Sequence, residues 1–386
     1  MNRPVVLVAA ASVTTCLAAL TSSLQAQSAS LVYRLGKDTV AIEQFTRTAT
    51  ALSGELVQRS GPAITRLTYD VTIGADGRPT AATFKRLAAD GTPLPTGPRE
   101  TRLQLRADSA IREVVFADSV QRRAFAAPNA LLISPTFAYG LTELIALAGK
   151  GGGKTDSIPA IGMTGNVGYA GLVKAGGDTV RLRGGGYEMR LRFDGNQRLQ
   201  SVDGSFTTNK AIATRANGGL NLNAIAGAMK PAGVLSARGV ARGAFGTGGI
   251  VLIDYGRPSV RGRTVWGGTL IPMDSIWRAG ANDATHLFTT RTLEFAGSYP
   301  IPAGQYTLFI QPAKGGTFLY VNKQTGQWGT QYDKSQDVLR YPLSMQPTDS
   351  FVEELTVTIR NTGGMTGEIE FAWGDKKAVA RFTAKQ

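Results

Sequence analysis

The chain alternates between apolar and polar residues over many short stretches. In YEMRLRF, Tyr187, Met189, Leu191 and Phe193 fall on one side and Glu188, Arg190 and Arg192 on the other. A period of two with one wet face predicts a half-buried strand. The same alternation puts Leu355, Val357 and Ile359 inward in LTVTIR, and Ile369, Phe371 and Trp373 inward in EIEFAWG. IPAGQYTLFIQP reads as a turn followed by a strand with Tyr306, Leu308 and Ile310 on one side. Asp-Gly pairs in ADGR (Ala75 to Arg78) and in DGNQ after Phe193 mark hairpin turns. One longer segment departs from this period: TFAYGLTELIALAG, Thr136 to Gly149, follows Pro135, ends on a glycine and predicts a helix. The pattern predicts an all-β protein, mainly antiparallel. Its first half is expected to be a meander or half-barrel with one helix, its second a β-sandwich.

The two halves differ in composition. Trp266, Trp277, Trp328 and Trp373 are the only tryptophans, all in the second half. The 47 glycines cluster between alternating segments, as in proteins with many tight turns. A Gly/Ala/Asn-rich stretch from Ala213 to Gly239 separates the halves, with room for one short helix from Leu222 to Met229. The expected division is a first domain at 27–215, a linker at 216–233 and a second domain at 234–386. By pattern alone, a curved sheet on a helix resembles the half-barrels of envelope lipid carriers such as the LolA and LolB families.

Residues 1–26 carry Arg3, an apolar run from Val5 to about Leu20, and small and polar residues up to Ala26. This is the layout of a secretory signal peptide. The run is diluted by Ser and Thr and is shorter than the roughly 20 residues a membrane span needs. Export to the periplasm or beyond the cell is expected, with no transmembrane segment after cleavage at Ala26. Cys16, the single cysteine, leaves with the leader, which rules out disulfide and thiol chemistry in the mature chain. The net charge of +14 favours anionic partners such as lipid headgroups, acidic glycans or polyphosphate. The basic residues are scattered singly along strands, without a nucleic-acid-binding motif, so nucleic acid is not an expected partner.

The candidate motifs for catalysis are weak. AGKGGGKT, Ala148 to Thr155, has the spacing of a loose phosphate-binding loop, but a helix precedes it and Pro159 follows it. A phosphate loop needs the reverse, a strand before and a helix after, so this segment reads as a plain loop. His286 is the only histidine, too few for a His-based zinc site, and no nucleophile elbow lies near it. It reads as a strand histidine with a satisfied ring. Carboxylate chemistry stays open, with Asp254, Asp274, Asp283, Glu294, Glu353 and Glu354 as candidates. Glu353 and Glu354 are adjacent, so on a strand they face opposite ways.

The richest segment is DYGRPSVRGRTVWGG, Asp254 to Gly268. Gly256 and Gly262 allow backbone turns and Pro258 fixes one, which is expected to bring Arg257, Arg261 and Arg263 close together on a loop. MDSIWRAGAND adds Asp274, Trp277, Arg278, Asn282 and Asp283. Clustered guanidiniums either bind carboxylate and phosphate or lock a loop through its carbonyls. These segments, with IPAGQYTLF, GQWGTQYD and the closing FAWGDK, resemble the DUF2911 family over roughly Val234 to Lys385. Tyr255, Gly256, Arg257, Pro258, Arg261, Gly262, Arg263, Trp277, Arg278, Gly280, Ala281, Asn282, Pro302, Gly304, Tyr306, Trp328, Gly329 and Trp373 stand where that pattern puts them. Met273 and Asp274 depart from it, where an aromatic-Gly pair is expected. The resemblance implies a β-sandwich and export, and supplies no reaction and no catalytic residue.

The expected function is that of an exported, non-enzymatic envelope-binding protein without cofactor or metal. Its expected site is an Arg/Trp surface of the second domain made of Arg257, Arg261, Arg263, Trp266, Trp277, Arg278, Asn282 and Trp328, for an anionic or glycan ligand. Two alternatives stand beside it. One is a lipid carrier whose first-half concave face is lined by Tyr187, Met189, Leu191 and Phe193; the other is a carboxylate-dependent hydrolase.

Overall fold

A computed structural model describes residues 27–133, 137–148, 155–164, 166–184, 187–207, 209–216, 218–231, 236–296 and 300–385. The leader at 1–26, the middle of the phosphate-loop-like segment (149–154), and the side chain of Tyr187 lie outside what it describes.

Among the described residues, the strands from Gln27–Leu35 to Ile212–Ala216 form one fifteen-stranded sheet. Every pairing in it is antiparallel except that of Leu131–Leu132 with Thr155–Ile161. The first strand pairs with both the second and the last, so the chain starts in the middle of the sheet and lays strands outward on either side. At the usual spacing a flat sheet of this size would be roughly 65 Å wide. Instead, residues from Ala110 to Leu182 share a single core with the short helical segment Tyr139–Ala148, which a sheet achieves by curving around it. The expected helix is present as a 3₁₀ turn, Tyr139–Thr142, running into the α-helix Glu143–Ala148.

Two buried carboxylates bolt that segment to the sheet. Glu143 is fully buried and accepts from Arg198 at 2.9 Å and from the Leu199 N–H at 2.9 Å. Arg47 and Arg215 approach it at 3.1 and 3.7 Å. Glu43, on the strand Asp38–Arg47, accepts from the hydroxyls of Tyr33 and Tyr69 and from the Gly140 N–H. The Tyr33 hydroxyl in turn accepts from the Tyr139 N–H at 2.7 Å. Thus sequence-distant strands converge on one helical turn, with their polar ends satisfied.

The helix Leu222–Ala228 forms inside the expected linker, capped by the Asn221 side chain. Leu222 and Ala226 pack on Ile42 and Val57, on the outer face of the first sheet. This segment therefore covers a strand surface that would otherwise expose apolar side chains to water.

The second half is a separate eight-stranded sheet dominated by a long hairpin, Asp337–Gly363 and Thr366–Lys385. Asp337–Gly363 pairs first with Gly316–Asn322 and then, past Leu343, with Thr366–Lys385. Its register shifts near Pro347 and Val352 let it turn from one layer into another. The Val357 N–H donates to the Tyr255 hydroxyl, and a bridge joins Ser259 to Glu354, closing the layers around one core. Leu355, Val357, Ile359, Ile369, Phe371, Trp373, Tyr306, Leu308 and Ile310 all point into that core, as their alternation predicts. The protein is all-β and mainly antiparallel.

Candidate functional site

The segment from Tyr255 to Arg263 leaves its strand at Gly256 and turns tightly, with Arg261 at φ +52° and Gly262 at φ +73°. The turn brings the second domain against the first. The Arg261 carbonyl accepts from the Lys37 N–H at 3.2 Å, and its guanidinium pairs with Asp38. Gly36 sits directly beneath at φ +62°, where an added Cβ would lie 1.9 Å from the Arg261 carbonyl oxygen. Only glycine allows the two backbones this close.

The three arginines expected to converge do not. Arg257 turns away and pairs with Glu354 at 3.1 Å, Arg261 crosses to Asp38, and Arg263 donates to the carbonyls of Ser259 and Val260 at 2.8 and 2.9 Å. The left-handed Arg261 backbone and the two close carbonyls send the three guanidiniums in different directions. The tryptophans are largely internal. Trp277 is buried and stacks on Trp373, with centroids 5.5 Å apart, and Trp266 donates to the Trp373 carbonyl at 3.0 Å. Trp328 keeps an exposed face beside Arg278, 5.7 Å from the guanidinium carbon. Arg278 itself is buried and donates to the Asn282 carbonyl at 2.9 Å.

Five of the expected residues, Arg261, Arg263, Trp277, Arg278 and Asn282, instead line a cleft between the two domains, with a volume of about 520 Å³. That size lies within the roughly 300–1,000 Å³ typical of small-ligand sites. The first domain supplies the other wall through Arg59, Arg86 and Lys210, together with Leu35, Val40 and Phe137. Three cationic side chains thus come from each domain, and none of the described residues that line the cleft is a carboxylate. Among the described residues, no ion pair links Arg59, Arg86, Lys210, Arg263 or Arg278 to an acid, and the Arg59 Nε is buried without a hydrogen-bond partner. Arg257, Trp266 and Trp328 lie outside the cleft lining.

The electrostatics reflect this crowding. Burial, with Arg278 and Arg263 nearby, lowers Lys210 to about 8. Burial and the neighbouring Arg261 lower Arg263 to about 10, and burial lowers Arg278 to about 10. Desolvation disfavours the proton on all three groups, like charge adds to it for Lys210 and Arg263, and the opposite charge of a bound anion would offset these effects. The arrangement suits anion recognition by guanidinium and ammonium donors.

Sequence reasoning confined the site to the second domain and missed Arg59, Arg86 and Lys210. Arg59 is a single basic residue in an otherwise ordinary strand, Arg86 follows Lys85 in another, and Lys210 sits just before Ile212–Ala216. Only the docking of the two domains reveals their common role.

The residues of the alternative readings are also placed. Met189, Leu191 and Phe193 are buried in the first core, so a lipid on that face would have to displace packed side chains. Asp254 pairs with Arg238 at 2.7 Å, and Glu294 pairs with Lys385. His286 lies in the strand Thr285–Thr289, and its Nε2 accepts from the Gly326 N–H at 3.0 Å. Burial, and then Arg238, hold it below its usual range. No helix among the described residues is long and apolar enough to cross a membrane.

Residues 240–382 match the model of DUF2911, a family described as a protein of unknown function. That region is the second domain apart from its first two strand residues and its last few. A crystal structure of a DUF1089 family protein from Pseudomonas aeruginosa is similar at 11% identity and a TM-score of 0.31, over 43% of this chain and 90% of that one. No curated protein matches the chain.

Proposed function

We propose that this is an exported, non-enzymatic binding protein that holds an anionic ligand in the cleft between its two β domains. One observation carries the reading: six cationic side chains, three from each domain, line a cleft with no carboxylate among its described lining residues. In a structural lattice, each buried cation has an acid or a full set of carbonyls. Here Lys210 has one carbonyl partner, Ser205 at 3.1 Å, and Arg59 leaves a buried donor unused. The leader-like sequence at residues 1–26 and the net charge of +14 suit an envelope setting, where acidic surfaces are abundant.

Titration calorimetry with inorganic pyrophosphate at low salt tests this directly. Binding should be measurable and should weaken at least tenfold in the double variant Arg86→Gln, Lys210→Met, neither of which contributes to the apolar core. Equal affinity in the folded variant and the parent would reject the cleft as the site, and absence of binding to pyrophosphate and other small anions would reject the reading.

A further inference from the structure

The cleft does not end at Lys210. A second cavity of about 470 Å³ shares Lys210 and Arg263 with it and adds Arg34. A third of about 570 Å³ shares Lys210, Leu270, Trp277 and Arg278 with it and adds Arg183. Lys210 thus lines all three spaces, which neighbour one another along the seam between the domains. A compact anion needs one of them; neighbouring spaces with cations in each suit a longer ligand.

The walls between the cations narrow the chemistry. Leu270 and Trp277 border the first and third of these spaces, and Ile276 and Phe309 also border the third. The carboxylate among the linings, Glu188, is already engaged by Arg183 at 2.7 Å and Arg190 at 3.3 Å. Cations at intervals with apolar surface between them fit a chain that carries one negative group per unit on a carbon skeleton. A bare phosphate chain would meet the cations but would desolvate against the apolar stretches without compensating contact. A neutral sugar chain would meet the apolar stretches and leave the cations unpaired.

Building on the anion-binding reading, we infer that the seam binds an acidic glycan, a linear chain of carboxylate-bearing sugar units running from the Arg59/Arg86 end past Lys210 towards Arg183. The ligand lies along the seam and bridges the two domains. Arg183 lies outside the first cavity and shares Glu188 with Arg190, so it can turn to a chain long enough to pass Lys210, but not to a short one, while Arg190 holds the acid.

The test is a length series of oligogalacturonates, from monomer to about ten units, measured by fluorescence or calorimetry on the full chain at two salt concentrations. Linear polyphosphate of matched charge and a maltodextrin of matched length are run beside it. Affinity should rise at least tenfold from trimer to decamer, with a steeper salt dependence for the longer chain. Arg183→Gln should weaken the decamer about threefold or more and leave the trimer unchanged. Equal affinity for trimer and decamer would overturn the chain inference while leaving a small-anion site intact. Polyphosphate binding as tightly as the uronate decamer would overturn the glycan assignment, and maltodextrin binding as tightly would overturn the need for charge. Failure of pyrophosphate and of all oligouronates to bind would remove the anion-binding reading itself.

Discussion

Two places in this molecule gather several cations, and they differ in one respect. Around Glu143, three arginines from separate parts of the first domain meet a fully buried carboxylate, and Arg47 and Arg215 also donate to the carbonyls of Gln197 and Leu199. Between the domains, six cations gather with no carboxylate among the described residues that line the space. Burying a charge is costly unless it is paired and hydrogen-bonded. The first cluster meets that condition internally and serves the fold by pinning the helical turn under the sheet. The second meets it only in part: Arg261 has Asp38, Arg263 and Arg278 have carbonyls and Arg86 is exposed, while Lys210 has one carbonyl and Arg59 leaves a buried donor unused. Counting arginines does not separate the two cases; locating the acids does.

The largest effect should come from breaking the satisfied cluster. Glu143→Ala leaves Arg47 and Arg198 buried without their acid, a change that typically costs about 3–5 kcal/mol. Urea unfolding should show a loss of that order, with unchanged anion binding in whatever fraction remains folded. A loss below about 1 kcal/mol would mean that the cluster does not hold the helical turn in place.

Glu43 sharpens the contrast, since it is a buried carboxylate with hydroxyl and N–H donors but no cation. Burial raises it from 4.5 to about 7 against the pull of Tyr33, Tyr69 and Gly140. The folded chain then holds one more proton than the unfolded chain between those values, so stability falls as pH rises from about 4.5 to 7. The drop amounts to about 3 kcal/mol. Glu43→Gln, which can still accept from one tyrosine and donate to the other, should flatten that slope in denaturant titrations across the window. If parent and variant lose stability in parallel, the proton is not on Glu43.

Much of the architecture was legible because it rests on local periodicity. The inward sets Leu355/Val357/Ile359 and Ile369/Phe371/Trp373 follow from alternation alone, and the helical turn and the linker helix follow from their punctuation and composition. The site was legible only in part. Arg261, Arg263, Trp277, Arg278 and Asn282 drew notice through their density in two adjacent segments. The direction in which each arginine points depends on a left-handed residue and two nearby carbonyls, and neither appears in a residue count. Arg59, Arg86 and Lys210 are scattered across the first half, and their meaning arises from a seam that Gly36 makes possible. Long-range docking leaves no periodic trace, so half of the cleft was invisible to pattern.

The smallest effect is also the one that probes the comparison most directly. Lys210 is held at about 8, below its ordinary 10.5, so below pH 8 its buried charge opposes folding. Between about pH 8 and 10.5 the unfolded chain keeps a proton that the folded chain has released, and this group's contribution to stability rises with pH. Lys210→Met removes the charge while keeping an apolar stem, and should stabilise the unliganded protein by about 1–3 kcal/mol at pH 7. The advantage should shrink as the pH passes 8 and vanish near 10.5. Ligand binding should move the opposite way, because an anion needs the proton that folding disfavours: parent affinity falls as pH rises through 8, while the variant is weak and flat over the same range. Glu143→Ala, at the satisfied cluster, gives no such exchange of stability for binding. A Lys210→Met protein that is less stable than the parent at pH 7 would place this lysine among the structural charges and erase the distinction between the two clusters.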